Sequence, residues 1–163
     1  MNLKNLKMTA FIQLYGLLKI PLVLFVSPRV VESTSSKFVL KLPLKRKNKN
    51  HLGSMYFGAL GIGAELSIAA AAVIAISESK QKIDFVFKDY TAEYLKRGDG
   101  DVHFIFEDVA AVRALIEEAK SNPNRIERKF KGHAVVPSKS PTDSIMNYEL
   151  TLSVKNRSLK GRD

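Results

Sequence analysis

The chain has 163 residues, with 26 Lys and Arg against 16 Asp and Glu, no Cys and no Trp. That length predicts one domain with a real core, and the lack of Cys excludes disulfide scaffolds, Cys-ligated metal centres and Cys nucleophiles while fitting a cytoplasmic location. The net charge of +10 is the compositional anomaly, and it calls for an anionic partner: nucleic acid, a membrane surface or a phosphate-bearing small molecule.

The surplus is uneven. Ten bases and a single acid, Glu32, precede residue 51, and the bases concentrate in Lys45, Arg46, Lys47 and Lys49 and again in Lys155, Arg157, Lys160 and Arg162. Neither run contains an aromatic residue, so no nucleic-acid partner is expected.

Residues 8–26, MTAFIQLYGLLKIPLVLFV, resemble a signal or an anchor only superficially. Gln13 and Lys19 interrupt the run, Pro21 breaks or kinks a helix, and no small-x-small cleavage site follows. Residues 1–29 therefore read as an amphipathic N-terminal helix to about Ile20 and a second apolar turn. They are expected to cover a sheet edge or a partner subunit, with peripheral contact to a membrane surface as the alternative. Residues 37–44 alternate in part and predict a strand, with Pro43 placing its end at an edge.

Residues 52–76 are long and apolar enough to span a bilayer, yet much of their hydrophobicity comes from Ala and Gly, and Glu65 lies at their centre. A carboxylate at mid-bilayer costs about 2.5 to 3.5 kcal/mol on insertion scales. A long helix buried in protein is the expectation instead. Residues 83–96 then predict one long strand, 97–101 a hairpin turn, 102–106 the returning strand, 108–120 a helix capped by Asp108, and 126–136 and 145–154 two last strands. The order predicts an α+β domain over residues 30–157, an antiparallel sheet wrapped round one central helix, with a basic tail at 158–163.

Glu65 is the candidate for chemistry. Burial raises a carboxyl pKa toward the range useful to a general base; the competing reading is a structural Glu paired with Lys or Arg. Gly61 and Gly58, one and two turns ahead, leave a bare backbone face on which a ligand or another chain can lie. The helix start, around Phe57 and Gly58, offers unpaired N–H groups to a developing oxyanion. His51 reads as a solvated residue beside the Lys-rich loop, and His103 and His133 stand alone on strands. No metal-ligand spacing, phosphate-binding loop or nucleophile elbow is present, so neither metal nor cofactor is expected.

With Asn50, Gly53, Gly58 and Glu65 in place, the order of elements resembles the hotdog-fold thioesterase superfamily, in its thioesterase-like branch related to the phenylacetate-pathway enzymes. Relatives there carry Asn, Gly, then His-Gly-Gly at the helix start and an Asp further along. Here Tyr56 replaces the His, Phe57 the first paired glycine, and Glu65 the Asp. The resemblance implies hydrolysis of an acyl-CoA or acyl-carrier-protein thioester at the interface of a homodimer or a dimer of dimers. Glu65 would serve as base or nucleophile, and Asn50, Gly53, Phe57, Gly58 and Gly61 would line the substrate. Lys47, Lys155 and Arg157 would meet the CoA phosphates. A non-catalytic acyl- or lipid-binding module on the same fold is the alternative.

Overall fold

A computed structural model of the chain describes residues 2–159; Lys160 and Arg162 of the expected basic tail lie outside the described residues. The elements in chain order are helices α1 (Leu3–Leu18) and α2 (Pro21–Val26), strands β1 (Arg29–Ser33) and β2 (Phe38–Leu42), a 3-10 turn (Arg46–Asn48) and helix α3 (Phe57–Ser79). Strands β3 (Ile83–Tyr94) and β4 (Val102–Phe106), helix α4 (Val109–Ser121) and strands β5 (Ile126–Val136) and β6 (Ser140–Asn156) follow. The six strands form one antiparallel sheet in the order β1-β2-β4-β5-β6-β3.

α3 lies in the hollow of this sheet. Its small residues let it approach closely: a Cβ at Gly63 would sit 2.3 Å from the Phe104 ring. Two turns of Ala and Ile68 are buried beyond it, and the Ser67 hydroxyl meets that of Tyr148 on β6 at 2.8 Å. α4 packs Val112, Leu115 and Ile116 against the same core. α3 is long and apolar enough to cross a membrane, but most of that stretch is buried against sheet and α4, which agrees with the buried-helix expectation.

β1 is a strand the sequence reading missed. It is five residues long, Arg29-Val30-Val31-Glu32-Ser33, and its only apolar pair is flanked by charge. The expected hairpin at 97–101 does not form, because β3 pairs with β6 whereas β4 pairs with β2 and β5. The segment is instead a crossing loop, pinned by the Gly98 carbonyl, which accepts from the Met55 amide at 2.9 Å. β6 begins at Ser140 inside the expected 137–144 loop, and Asp108 occupies the N-cap of α4 without a side-chain capping bond.

α1 covers the free side of β1 with polar atoms. The Asn5 amide donates to the Val31 carbonyl (2.6 Å), Thr9 Oγ1 accepts from the Val30 amide (2.9 Å), and Gln13 donates to the Pro28 carbonyl (3.2 Å). These side chains satisfy backbone groups that an edge strand otherwise leaves open. The amphipathic expectation is therefore inverted: Asn5, Thr9, Ile12 and Gly16 face inward, and the large apolar side chains other than Met8 and Ile12 face out. β3 is at the opposite end of the sheet, and its outer side is unpaired among the described residues.

Candidate functional site

The loop before α3 is organised by Asn50. Its side-chain oxygen accepts from the amides of Leu52 (2.9 Å) and Ser54 (3.2 Å), and its amide nitrogen meets Ser54 Oγ at 3.0 Å. Gly53 supplies the positive φ (79°) that the turn requires. Asn50 and Gly53 thus shape the approach to the helix, and the Asn50 carboxamide is engaged with Ser54. The Tyr56 amide donates to the Asn48 carbonyl at 2.7 Å, and the first intrahelical bond runs from the Leu60 amide to the Tyr56 carbonyl. Among the described residues the amides of Phe57, Gly58 and Ala59 have no backbone acceptor, so three donors converge at the positive end of the helix dipole.

This helix start is not bare. The Tyr56 ring folds over it, 2.5 Å from where a Cβ on Gly58 would lie. Phe57 packs edge-on against Tyr56 (5.2 Å between ring centres) and Tyr94 (6.2 Å). Tyr90, four residues before Tyr94 on β3, brings its hydroxyl within 3.8 Å of a Cβ placed on Gly61. Burial, the Tyr94 hydroxyl beside it and nearby Tyr148 all raise the Tyr90 pKa, so it is a neutral hydrogen-bonding group at any ordinary pH. Tyr90 and Tyr94 went unnoticed in the sequence. The bulge between Phe87 and Asp89 shifts the alternation and turns both toward α3.

Glu65 lies one turn beyond Gly61, on the α3 face that the sheet leaves open. Contrary to the sequence reading it is exposed in the protomer, because its neighbours on that face include Gly58 and Gly61, which offer no cover. Enough protein surrounds the carboxyl for burial to raise its pKa above the ordinary 4.5, and no charged group contributes to that shift. Among the described residues no Lys or Arg pairs with it. The open face continues along α3 through half-buried Ile62, Leu66, Val73 and Ile76.

Phe57 and Gly61 therefore meet Tyr94 and Tyr90 along one open face of α3, on which Gly58 and Glu65 also lie. The basic candidates do not join it as a group. Lys47 stands at the foot of the helix-start loop with its ammonium 5.0 Å from the Phe25 ring centre. Lys155 pairs in register with Asp84 at the start of β3, and the Arg157 guanidinium bonds to the Asp84 carboxylate at 2.6 Å. That end of β3 is roughly 20 Å from Tyr90 at 3.3 Å per strand residue. A concavity of about 670 Å³ lies on the sheet face turned away from α3, beside Thr91, His133 and Glu149, and does not include Glu65. No group of His, Cys, Asp or Glu suited to a metal occurs among the described residues.

Residues 9–135 match the family described as Domain of unknown function (DUF4442). The chain belongs to that family. No curated protein matches the sequence. Solved structures match nearly its whole length. One is a protein of unknown function from Chlorobaculum tepidum, with TM-score 0.78 and 12% identity over 96% of this chain and 97% of that one. Another is a thioesterase family protein from Silicibacter pomeroyi, with TM-score 0.66 and 13% identity over 91% and 98%. A thioesterase from Haemophilus influenzae gives TM-score 0.63 and 15% identity over 88% of each chain. The fold is the hotdog fold of these thioesterase-family structures.

Proposed function

We propose that this protein hydrolyses acyl thioesters of coenzyme A or an acyl-carrier protein, in the cytoplasm and as a homodimer joined through β3. The observation that carries the reading is the unpaired Glu65 carboxyl on the open face of α3, with its proton affinity raised by burial, in line with a helix start that presents free amides. Glu65 takes a proton from water, whose oxygen attacks the thioester carbonyl carbon. The amides of Phe57 and Gly58 hold the oxyanion. Collapse of the tetrahedral intermediate expels the thiolate, which takes the proton from Glu65, leaving a carboxylic acid and a thiol. Direct attack by the carboxylate, through an anhydride that water then opens, is the variant of the same reading.

A single helix sets the two halves far apart for one carbonyl. Gly58 and Glu65 are seven residues apart, about 10 Å along the axis at 1.5 Å per residue, whereas the oxyanion must lie about 3 Å from the amides and the attacking water about 3 Å from the carboxylate. A two-fold dimer with antiparallel helices removes the difficulty, setting one protomer's carboxylate beside its partner's helix start. The free 12-residue edge of β3 and the apolar stripe beside Glu65 support that arrangement.

The test is thiol release from a panel of acyl-CoA chain lengths. Glu65→Ala is expected to lose about 10²- to 10⁴-fold in kcat/KM; undiminished turnover would sink the assignment. Phe57→Pro deletes one donor at a helix position that tolerates proline. Hydrolysis by heterodimers of Glu65→Ala and Phe57→Pro, each inactive alone, is expected for a site shared between protomers. The Tyr56 ring over Gly58 favours a second reading, a non-catalytic acyl-binding module. Native mass spectrometry showing a retained acyl ligand without turnover would support that one.

A further inference from the structure

α1 is built inside out, and the consequence is a surface that none of the other described residues covers. Its polar side chains are used on the β1 edge. Its outward face carries Leu3, Leu6, Phe11, Leu14, Leu17 and Leu18, each between 48% and 68% exposed. α2 packs beside it and adds Leu22 at 57% and Phe25 at 51%. A single exposed Leu needs no account, whereas a helix face made of them does.

Cations surround this face. Lys7 stands within it, one turn from Leu3 and Phe11, with a stem long enough to carry its ammonium to the rim; Lys19 is exposed at the end of α1, and Lys45, Arg46, Lys47 and Lys49 are exposed in and around the 3-10 turn. The turn is fastened to α2 by the Asn48 amide, which donates to the carbonyls of Val26 (3.1 Å) and Pro43 (3.0 Å), and Lys47 stands over Phe25. Lys37 and Lys41 have the carboxylate partners Glu107 and Asp101; among the described residues the four cations of the turn have none. An apolar helix face rimmed by unpaired Lys and Arg matches the boundary between acyl chains and anionic headgroups. A second copy of the same face would set like charges against each other, and pairing through β3 leaves α1 open because the two lie at opposite ends of the sheet.

We propose that α1, α2 and the basic turn at residues 45–49 dock this protein on an anionic bilayer surface. The helices lie in the interface with the leucines toward the acyl chains and the lysines at headgroup level. Docking is independent of catalysis, so Glu65→Ala is expected to bind as wild type does.

The experiment is flotation of the full chain with vesicles of phosphatidylcholine containing about one third phosphatidylserine, at low and high salt. Because the chain has no Trp, Leu18→Trp is a clean reporter of insertion. The expected results are flotation that weakens with salt, a blue shift of Leu18→Trp emission on the vesicles, and a loss of about tenfold or more in partitioning for Leu14→Ser/Leu18→Ser with unchanged circular dichroism. Lys45→Gln and Lys49→Gln are expected to cost roughly fivefold each. Absence of flotation overturns the proposal, as does an unshifted Leu18→Trp emission on vesicles that do bind. So does a solution mass that falls in Leu14→Ser/Leu18→Ser without any vesicle binding, which would assign the face to a second copy of this chain.

Discussion

Replacing Thr9 by Val tests how the sheet is closed at β1. Thr9 Oγ1 donates to the Asn5 carbonyl at 2.8 Å and accepts from the Val30 amide at 2.9 Å, with Thr9 only 7% and Val30 only 1% exposed. Valine keeps the β-branched shape, so helix propensity and packing stay nearly constant. What changes is the Val30 N–H, left buried with no acceptor, at a cost of about 1 to 3 kcal/mol. The new methyl group recovers about 0.8 kcal/mol of burial, so a net loss of about 0.2 to 2 kcal/mol is expected. At this chain length that lowers Tm by about 2 to 4 °C per kcal/mol. Urea unfolding at fixed protein concentration reads the stability, and hydrogen exchange at the Val30 amide reads the cause. Thr9→Ser, which keeps the hydroxyl, is expected to leave that amide protected. A Thr9→Val protein with an unmoved midpoint and a protected Val30 amide would show that the edge is held by something other than Thr9.

Gly63→Ala is expected to destabilise by about 1 to 3 kcal/mol, since its Cβ would lie 2.3 Å from the Phe104 ring in the core; a neutral effect on the denaturation midpoint would mean that helix and sheet are not in such close contact. Glu65 should contribute a pH-dependent term of known sign. Burial raises its pKa in the folded state above 4.5, so the fold binds the proton more tightly than the unfolded chain. The associated stability is present below about pH 4.5 and is lost as pH rises through the raised value. Thermal melts of Glu65→Gln and wild type should converge in acid and separate toward neutrality, with the variant the more stable; a pH-independent difference would contradict it.

Much of this architecture is visible in the chain because α3 is distinctive. An Ala- and Gly-rich apolar stretch around one carboxylate identifies the central helix and Glu65 together, and alternation locates β2, β4, β5 and most of β6. What stays hidden is non-local. Residues 97–101 have the Gly and Asp content of a turn, but which strands pair on either side depends on β6 taking the place beside β3. β1 is too short to signal itself, and its partner surface on α1 is written in side-chain hydrogen bonds rather than in hydrophobicity. The stripe Asn5, Thr9, Ile12, Gly16 has helical spacing and is the one clue that α1 turns its polar side inward. Tyr90 and Tyr94 reach the open face of α3 only through a bulge, which shifts the side-chain phase by one residue.

The capping of β1 by α1 also sets a limit on stoichiometry. A sheet with two open edges can add copies at both ends without stopping, which is the route to filaments. Here Lys4, Asn5, Thr9 and Gln13 bond one edge from within the same chain, so among the described residues the edge left for strand addition is β3. In the proposed dimer a single two-fold pairing would use up that edge on both copies, and the continuous sheet would close at two chains. Four side chains of an otherwise greasy helix would thereby terminate assembly.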